Sequence, residues 1–295
     1  MPCRIAQAGA RQAQYRLLYH QRERYEVKAM CTFFGVSRAA YYTWVKRLDQ
    51  ADPDAERMEL VQAAYERSHR TYGYRRIAFW LHKHKGICMN HKAVLRLMNK
   101  LNIRSVARRR KIFRHVDSIP GIHHYENLLN REFSASQPNQ KWVTDVTYIT
   151  TQQGWAYLST IQDLFDGFIV SHQLGRENSL ILVLNTLQQA KQREPVSHNL
   201  LLHSDHGHQY TSHGYAALTK HYAITPSMSR LGNCWDNARM ENFFSHLKEE
   251  ALRPFPVPNF EEARVIIDEY IHFYNYERIQ LKTRQTPFET RCLSS

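Results

Sequence analysis

The chain lacks any run of about 18 apolar residues, so its sequence predicts no membrane-spanning helix. Residues 1–24 contain no apolar segment of the kind that a secretory signal needs. Cysteine is scarce: the five cysteines lie far apart and form no Cys-x-x-Cys pair, which argues against a zinc knuckle. Their odd number argues against a disulfide framework. The expected location is therefore a reducing compartment, the cytoplasm.

Apolar residues are nevertheless plentiful. They make up 43% of the 295 residues and aromatic residues 12%, which is enough for packed cores and excludes a disordered chain. The length favours two or three domains over one.

Charge is distributed unevenly along the chain. Residues 1–133 hold 26 Lys and Arg against 11 Asp and Glu, whereas residues 134–295 hold 14 against 16. The formal net charge of +13 therefore originates in the N-terminal part. This asymmetry favours a polyanionic partner, DNA or RNA, held by one end of the protein. The alternative is a basic surface that serves solubility alone.

Residues 24–48 are typical of two short helices joined by a turn at Gly35-Val36-Ser37. The second helix would expose Arg38 and Lys46, as in a helix-turn-helix whose second helix enters a DNA major groove. A generic helical hairpin has the same pattern. We assign this domain to residues 1–50.

A second helical region follows over residues 51–116. Its apolar stripes predict two further helices, with Asn90 as a candidate cap of the second. Arg75 and Arg76 are candidate phosphate contacts. The basic run at residues 104–116 contains Arg108, Arg109 and Arg110 and is interpreted as a linker lying along DNA, or as a solvated charged linker.

Residues 117–140 contain Pro120, Gly121 and Pro138 and are interpreted as the boundary before the last domain, residues 141–295. There the pattern predicts three strands, a helix, a strand, a helix, a strand and a helix, with one more helix at about 260–277. This order predicts an α/β domain with a mixed five-stranded sheet.

Three carboxylates have unusual surroundings in this domain. Asp145 interrupts the apolar strand WVTDVTYI, where an ionised group is costly unless paired or bound to a metal. Asp205 ends the apolar strand LLLHSD, and Glu241 lies beside the apolar stripe of the helix NARMENFFSHLK. Taken singly, each has an ordinary explanation: an Asp bonded to backbone amides, a turn cap and a surface glutamate. Together they could hold hard divalent cations through oxygen.

The chain resembles the second-frame products of insertion sequences of the IS3 family, relatives of retroviral integrases in the DDE superfamily. The resemblance covers nearly the whole chain and is carried by NLLNREF, PNQKWVTDVTYI, LLHSDHGHQYTS, MSRLGNCWDNARMENFFSHLKEE and YNYERIQLKTRQTPFE. Asp205 and Glu241 are separated by 35 residues, the spacing of that superfamily. The resemblance implies an RNase-H-like catalytic core preceded by an all-α DNA-binding region.

The resemblance also implies a DNA transposase that cleaves element ends and transfers the resulting 3′-hydroxyl by two-metal phosphoryl transfer. Asp145, Asp205 and Glu241 would hold two Mg²⁺ ions, with Mn²⁺ able to substitute. Lys248, seven residues after Glu241, would hold DNA. Tyr210 and Asn237 flank the carboxylates and would shape the site or contact DNA; Asn233 and Trp235 share this assignment, with Trp235 alternatively a core residue.

Further implications concern partners. The substrates would be double-stranded DNA, namely terminal inverted repeats and target DNA, brought together by at least a dimer. Because the chain begins where second-frame products begin and has no heptad zipper, we expect it to act with an upstream-frame partner or as a frameshift fusion.

Two positions depart from the family pattern: His206 stands where Arg is common, and Gln280 where His is common. The histidines at 203, 206, 208 and 213 raise the possibility of zinc, but we interpret them as polar groups near the site or contacts to DNA, with His213 an ordinary loop residue. Two other functions remain open from the residues. One is an RNase-H-like nuclease without strand transfer, and the other is a DNA-binding protein without catalysis.

Overall fold

The structure, a computed structural model, describes residues 3–48, 52–106, 123–194, 199–254 and 256–293. The chain forms two compact units, Met1–Glu59 and Leu60–Ser295. The predicted contacts Arg108, Arg109 and Arg110 lie outside the described residues. Within the described ranges, no helix is both long and apolar enough to cross a membrane.

The described part of the N-terminal unit contains the helices α1 Cys3–Gln21, α2 Val27–Phe33 and α3 Arg38–Leu48. Gly35 turns the chain between α2 and α3 with φ +61°, a conformation that glycine adopts without steric cost. Leu18, Cys31 and Tyr41 form the buried core between the helices. The predicted helix-turn-helix pair thus corresponds to α2 and α3, and α1, which the sequence did not reveal, completes their core.

A helical layer follows, most of which belongs to the second unit: α4 Ala55–Arg67, α5 Tyr74–Lys85 and α6 His91–Lys100. Fully buried Ile77, Leu81 and Val94 form its apolar contacts. The Asn90 side chain accepts a hydrogen bond from the Lys92 amide, so the predicted cap of α6 is confirmed.

The sheet has the strand order β3-β2-β1-β4-β5, and its strands are β1 Lys141–Thr151, β2 Gly154–Asp163, β3 Ile169–Gly175, β4 Leu201–Ser204 and β5 Thr225–Met228. The pairs β1–β2 and β2–β3 are antiparallel, whereas β1–β4 and β4–β5 are parallel. The predicted mixed five-stranded sheet is therefore confirmed.

Helices cover both faces of this sheet because successive side chains of a strand point to opposite sides. Trp142 on β1 is buried with Val183 and Leu187 of α7 (Leu180–Arg193) and with Tyr215 of α8 (His213–His221). On the other face, α9 (Ala238–Leu247) and α10 (Phe260–Tyr276) pack against β1. The short helix α11, Pro287–Cys292, follows.

The sequence pattern of CWDNARMENFFSHLKEEAL predicts one continuous helix over residues 234–252, and this prediction is wrong in detail. A 3₁₀ turn at Cys234–Asn237 precedes α9, and a π-helical turn at Lys248–Leu252 follows it. In the π-helical turn Glu250 faces Arg278, whose Nε and Nη2 donate to its carboxylate at 2.8 and 2.7 Å. The predicted apolar stripe accordingly stays buried only as far as Leu247.

The helical layer is joined to the C-terminal part of the same unit. The Tyr72 hydroxyl donates to the Glu277 carbonyl at 3.0 Å and accepts from the Ile279 amide at 2.8 Å. Arg76 Nε donates to the Ile279 carbonyl at 3.1 Å, and burial lowers the pKa of this guanidinium. Arg76, predicted as a phosphate contact, is therefore committed to holding α5 against residues 277–279.

Candidate active site

Strand register brings Asp145 and Asp205 together. β1 and β4 run parallel with Lys141 opposite Leu201, Trp142 opposite Leu202 and Val143 opposite His203. Two residues further along the same register, Asp145 lies beside Asp205, which directly follows β4. Adjacent parallel strands are about 4.8 Å apart, so the two half-buried carboxylates share one edge of the sheet.

The electrostatics of this edge are unfavourable for two negative charges. Burial, together with the charges of Asp205 and Glu241, raises the pKa of Asp145 well above its usual value. Burial also raises the pKa of Asp205. The Asp145 carboxylate accepts a hydrogen bond from the Val146 amide at 2.7 Å, and the Asp205 carboxylate accepts one from the Gly207 amide at 2.9 Å. Such concentrated negative charge is what a bound divalent cation neutralises.

Glu241, the third carboxylate, lies on the helix α9 rather than on the sheet. It lies in the first turn of α9, is exposed, and contributes to the electrostatic potential at Asp145. Among the residues that the structure describes, no group of three or more His, Cys, Asp or Glu side chains lies close enough to hold a metal ion as it stands. The three carboxylates are thus gathered at one edge, with Glu241 within electrostatic reach but not in a closed ligand cluster.

Two buried polar side chains, one before α9 and one in the segment after β4, bond to Thr144, the residue before Asp145 on β1. Asn237 Nδ2 donates to the Thr144 carbonyl at 3.3 Å, and the Tyr210 hydroxyl shares a 3.2 Å hydrogen bond with Thr144 Oγ1. Tyr210 is 1% exposed and Asn237 4%. At this burial neither side chain is exposed for contact with DNA, so of the two predicted roles the structure favours shaping the site over contacting DNA.

A carboxylate that sequence reasoning missed organises the loop before α9. Asp236 is fully buried and accepts hydrogen bonds from Arg230, from Arg131 at 2.7 Å and from Asn127 at 2.8 Å. The hydrogen bonds from Arg230 hold the pKa of Asp236 far below its usual range, and those from Arg131 act in the same direction. The loop that leads to Glu241 is thereby tied to residues 127–131. The motifs NLLNREF and CWDNARMEN contain these residues, but nothing in their spacing reveals the contact.

Trp235, the residue before Asp236, is exposed to solvent rather than buried. Trp235 is 70% exposed, so the alternative that it belongs to the core is wrong. Asn233 accepts from Arg131 Nη2 at 2.9 Å and belongs to the same loop network.

Lys248 directly follows the last residue of α9. Its Nζ donates to Thr147 Oγ1 at 2.6 Å and stands 4.4 Å from the centre of the Tyr148 ring. Burial lowers the pKa of Lys248 to about 8, with the charge of Arg253 acting in the same direction and that of Asp145 opposing it. The predicted DNA contact is therefore a partly buried cation beside the carboxylates.

The histidines around Asp205 are held by protein groups. His203 is buried between the hydroxyls of Ser227 and Ser229, at 2.9 and 3.2 Å, and burial lowers its pKa to about 4. His206 bonds to the Ser229 carbonyl through Nε2. His213 is the first residue of α8 rather than a loop residue, and its Nδ1 lies 2.8 Å from His123 Nε2. These contacts support the interpretation as polar groups near the site.

The remaining predicted DNA contacts are on surfaces. Arg38 and Lys46 are exposed on α3, and Arg75 is exposed on α5.

Comparison with known proteins agrees with this arrangement. A family model described as "Integrase core domain" matches residues 135–234, which include both aspartates, and a second model with that description matches 241–293, beginning at Glu241. A model described as "HTH-like domain" matches residues 52–111.

Among curated relatives, the putative transposase InsK for insertion sequence element IS150 of Escherichia coli K12 is 36% identical over 278 residues, covering 94% of this chain and 97% of that protein. The transposase InsF for insertion sequence IS3A of the same organism is 34% identical over 257 residues, covering 85% and 88%. Among solved structures, the magnesium complex of the HTLV-2 integrase catalytic core has a TM-score of 0.44 and 17% identity, covering 53% of this chain and 99% of that one.

Proposed function

Because this chain belongs to the IS3 family of insertion-sequence transposases, we propose that Asp145, Asp205 and Glu241 are its catalytic residues and metal ligands. The protein is a DNA transposase with an integrase core, a DDE-type polynucleotidyl transferase. The observation that carries the residue assignment is the parallel β1–β4 register, which sets Asp145 beside Asp205 at the edge that α9 approaches with Glu241.

The donor set fits a hard divalent cation. All three side chains offer carboxylate oxygens. Burial and then the charges of Asp205 and Glu241 raise the pKa of Asp145, and a bound cation would neutralise this concentrated negative charge. We propose Mg²⁺, two ions per site, with Mn²⁺ able to substitute. When bound, the metal activates the attacking oxygen and neutralises charge on the leaving oxygen.

The protein residues supply position rather than covalent chemistry. In the first step the oxygen of a water molecule bonds to the scissile phosphorus, and the bond to the 3′-oxygen of the element end breaks, leaving a 3′-hydroxyl. In the second step this hydroxyl attacks a phosphodiester, releasing another 3′-oxygen, so the number of phosphodiester bonds is conserved. Lys248 supplies positive charge next to Asp145, and the Asp236 network holds the loop that carries α9.

DNA is the partner that the integrase core and the helix-turn-helix-like region imply. We propose that Arg38 and Lys46 on α3 and Arg75 on α5 contact phosphates, and that Arg108, Arg109 and Arg110 do so between the helical layer and the core. We retain residues 1–50, 51–116, 117–140 and 141–295 as functional segments. Joining two element ends requires at least a dimer, with an upstream-frame partner or fusion supplying further end recognition. The site of action is the cytoplasm, where bacterial DNA lies.

The decisive experiment compares wild type with Glu241→Gln in cleavage of a labelled duplex carrying an element end, with Mg²⁺ or Mn²⁺. We expect nicking to fall by about 100-fold or more, since a lost metal ligand forfeits several kcal/mol of transition-state stabilisation. DNA binding should be retained. The matched control is Glu269→Gln, an exposed glutamate on α10.

Undiminished cleavage by Glu241→Gln would refute the assignment of the third ligand. A second assay with labelled target DNA separates transposition from simple hydrolysis: joined products support strand transfer, and cleavage without joining indicates a nuclease. Binding without cleavage by wild type in both metals would indicate a DNA-binding protein without catalysis.

A further inference from the structure

Two exposed aromatic rings are stacked on the hairpin formed by β1 and β2. Trp155 is 65% exposed and Tyr148 50%. Their ring centroids are 5.6 Å apart and their planes differ by 27°. The register pairs Tyr148 with Tyr157 and Thr150 with Trp155, so the two rings are diagonal neighbours on one face of the sheet. This face therefore presents a contiguous aromatic surface to solvent, with Trp155 as its more exposed end.

The hairpin holds these rings in place. Thr151 Oγ1 donates to the Gly154 carbonyl at 2.8 Å and accepts from the Gln153 amide at 3.2 Å. The Gln152 amide donates to the Val257 carbonyl at 3.0 Å, which fastens the turn to the segment before α10. A ligand that stacks on a surface already ordered loses less free energy to immobilising the protein.

A cation adjoins the stack. Lys248 Nζ lies 4.4 Å from the Tyr148 ring centre while it donates to Thr147 Oγ1. In the described part of the sheet, the β1–β4 pairing ends at Val143 and His203, so Lys248 reaches Thr147 and Tyr148 where β1 has an open edge. The aromatic surface is thus bordered by positive charge, which suits a ligand with a flat apolar face and an adjacent anion.

The stack is close to the carboxylates. Tyr148 follows Asp145 by three residues on the same strand, a span of about 10 Å, so the two side chains leave the strand on opposite faces and come together only at its open edge. The charge of Lys248 acts on Asp145 as well, so one side chain adjoins both features. A DNA strand that passes this edge could therefore have a phosphate beside Lys248 and a base on the adjoining rings.

We propose that Trp155 and Tyr148 form a platform for an unpaired base of the DNA strand next to the cleaved phosphate, with Lys248 beside the backbone of that nucleotide. This inference rests on the proposed placement of the chemistry at Asp145. An unpaired base is required because the faces of paired bases are covered by their neighbours in the duplex. Base–aromatic stacking tolerates any sequence, since every base has a flat π face. The platform therefore favours opened element ends over fully paired DNA.

The test uses the full chain and two probes: a forked duplex with 2-aminopurine in its unpaired arm, and the same sequence fully paired. Binding is measured with Ca²⁺ in place of Mg²⁺, so no cleavage is needed. Stacking on the platform should quench 2-aminopurine fluorescence in the wild-type complex with the forked probe. In Trp155→Ala the quenching should be lost and affinity for the forked probe should fall by about 5- to 150-fold, with less than twofold change for the paired probe.

The conservative variant Trp155→Phe should keep most of the quenching, because it retains a ring. The control Gln153→Ala removes an exposed side chain from the same turn and should behave as wild type. Equal thermal unfolding midpoints of all four proteins establish that the fold is intact.

Unchanged quenching and affinity in Trp155→Ala would overturn the proposal. A self-association constant that falls in Trp155→Ala while quenching is unaffected would also overturn it, because the stack would then be a contact between copies of this chain. These readings do not require catalysis, so they remain informative if Glu241→Gln cleaves normally and the metal-ligand assignment fails.

Discussion

The guanidinium of Arg230 donates two parallel hydrogen bonds to the carboxylate of Asp236, from Nε to Oδ2 at 2.8 Å and from Nη2 to Oδ1 at 2.8 Å. Arg131 binds the same carboxylate from a segment that precedes the sheet. This pairing holds the chain five residues before Glu241. It connects the stability of a loop with the geometry of the proposed catalytic edge.

Replacing Asp236 with Asn should reduce both stability and catalysis. The variant removes the negative charge from a buried, multiply bonded group, and we expect the free energy of unfolding to fall by about 1–3 kcal/mol. Urea unfolding at pH 7 measures this change. Because the pKa of Asp236 is depressed, its stabilisation is present above about pH 4, the usual Asp range, and is lost as pH falls below it. The difference in the free energy of unfolding between wild type and Asp236→Asn should shrink on acidification. A difference that grows instead would contradict stabilisation by the ion pairs of Asp236 with its arginines.

Arg278→Ala should be among the most destabilising single changes outside the catalytic edge. Arg278 and Glu250 are each almost fully buried, and Tyr270 also donates to Glu250 at 2.8 Å. Removing Arg278 leaves a buried carboxylate without its cation, which costs about 3–5 kcal/mol.

Thermal and urea unfolding measure that loss. The double variant Glu250→Gln/Arg278→Met should recover much of it, since neither buried charge remains. The control is Arg70→Ala, which breaks the exposed Arg70–Glu66 pair and should cost about 0.5 kcal/mol or less. Equal effects of the two arginine variants would show that burial does not govern the pair.

If Lys248 contacts DNA, the affinity of the protein for DNA should fall as pH rises through about 8. Its lowered pKa means that the ammonium loses its proton near pH 8, and with it the attraction to phosphate. Lys248→Arg keeps its charge throughout this range, so its affinity should vary less between pH 7 and 9. Fluorescence anisotropy with a labelled duplex measures both proteins; identical pH profiles would show that Lys248 does not contact DNA.

The lowered pKa of Lys248 also makes the stability of the protein depend on pH. Between about pH 8 and the usual lysine pKa the unfolded chain binds more protons than the folded one, so the Lys248 contribution to stability rises with pH in this window.

Asp205→Asn should stabilise the metal-free protein and abolish its response to metal. Asp145 has a raised pKa, so its contribution to stability is present at low pH and is lost as pH rises and the carboxyl ionises beside Asp205. Removing the charge of Asp205 relieves this repulsion. Differential scanning fluorimetry at pH 7.5 should show a higher midpoint for Asp205→Asn than for wild type in EDTA.

Adding Mg²⁺ or Mn²⁺ should raise the wild-type midpoint and leave that of Asp205→Asn almost unchanged, because ligand binding stabilises only a competent site. Glu269→Gln serves as the control and should respond as wild type does. A wild-type midpoint that is insensitive to both metals at millimolar concentration would contradict metal binding by the DNA-free protein.

Sequence patterns were sufficient for the elements whose residues carry a local signal. The strand around Asp145 was predicted from its β-branched and aromatic residues, and the cap of α6 from Asn90. The helix after Asn237 was predicted too long, because its periodicity does not show that Glu250 turns toward Arg278. For Tyr210 and Asn237 the sequence leaves two roles, shaping the site or contacting DNA, because proximity in sequence to the carboxylates cannot distinguish a buried side chain from one on the surface.

The sequence by itself determined the order of the five strands and of the helices between them, the concentration of positive charge before residue 134, and the three carboxylates at the spacing of a transposase family. Only the tertiary structure decided that Asp145 lies beside Asp205, that Asp236 binds arginines from two segments, and that Lys248 and Trp155 adjoin the same tyrosine ring. The reason is physical. Secondary structure follows from interactions within a few residues, whereas these contacts join residues brought together by strand pairing and side-chain packing across most of the domain.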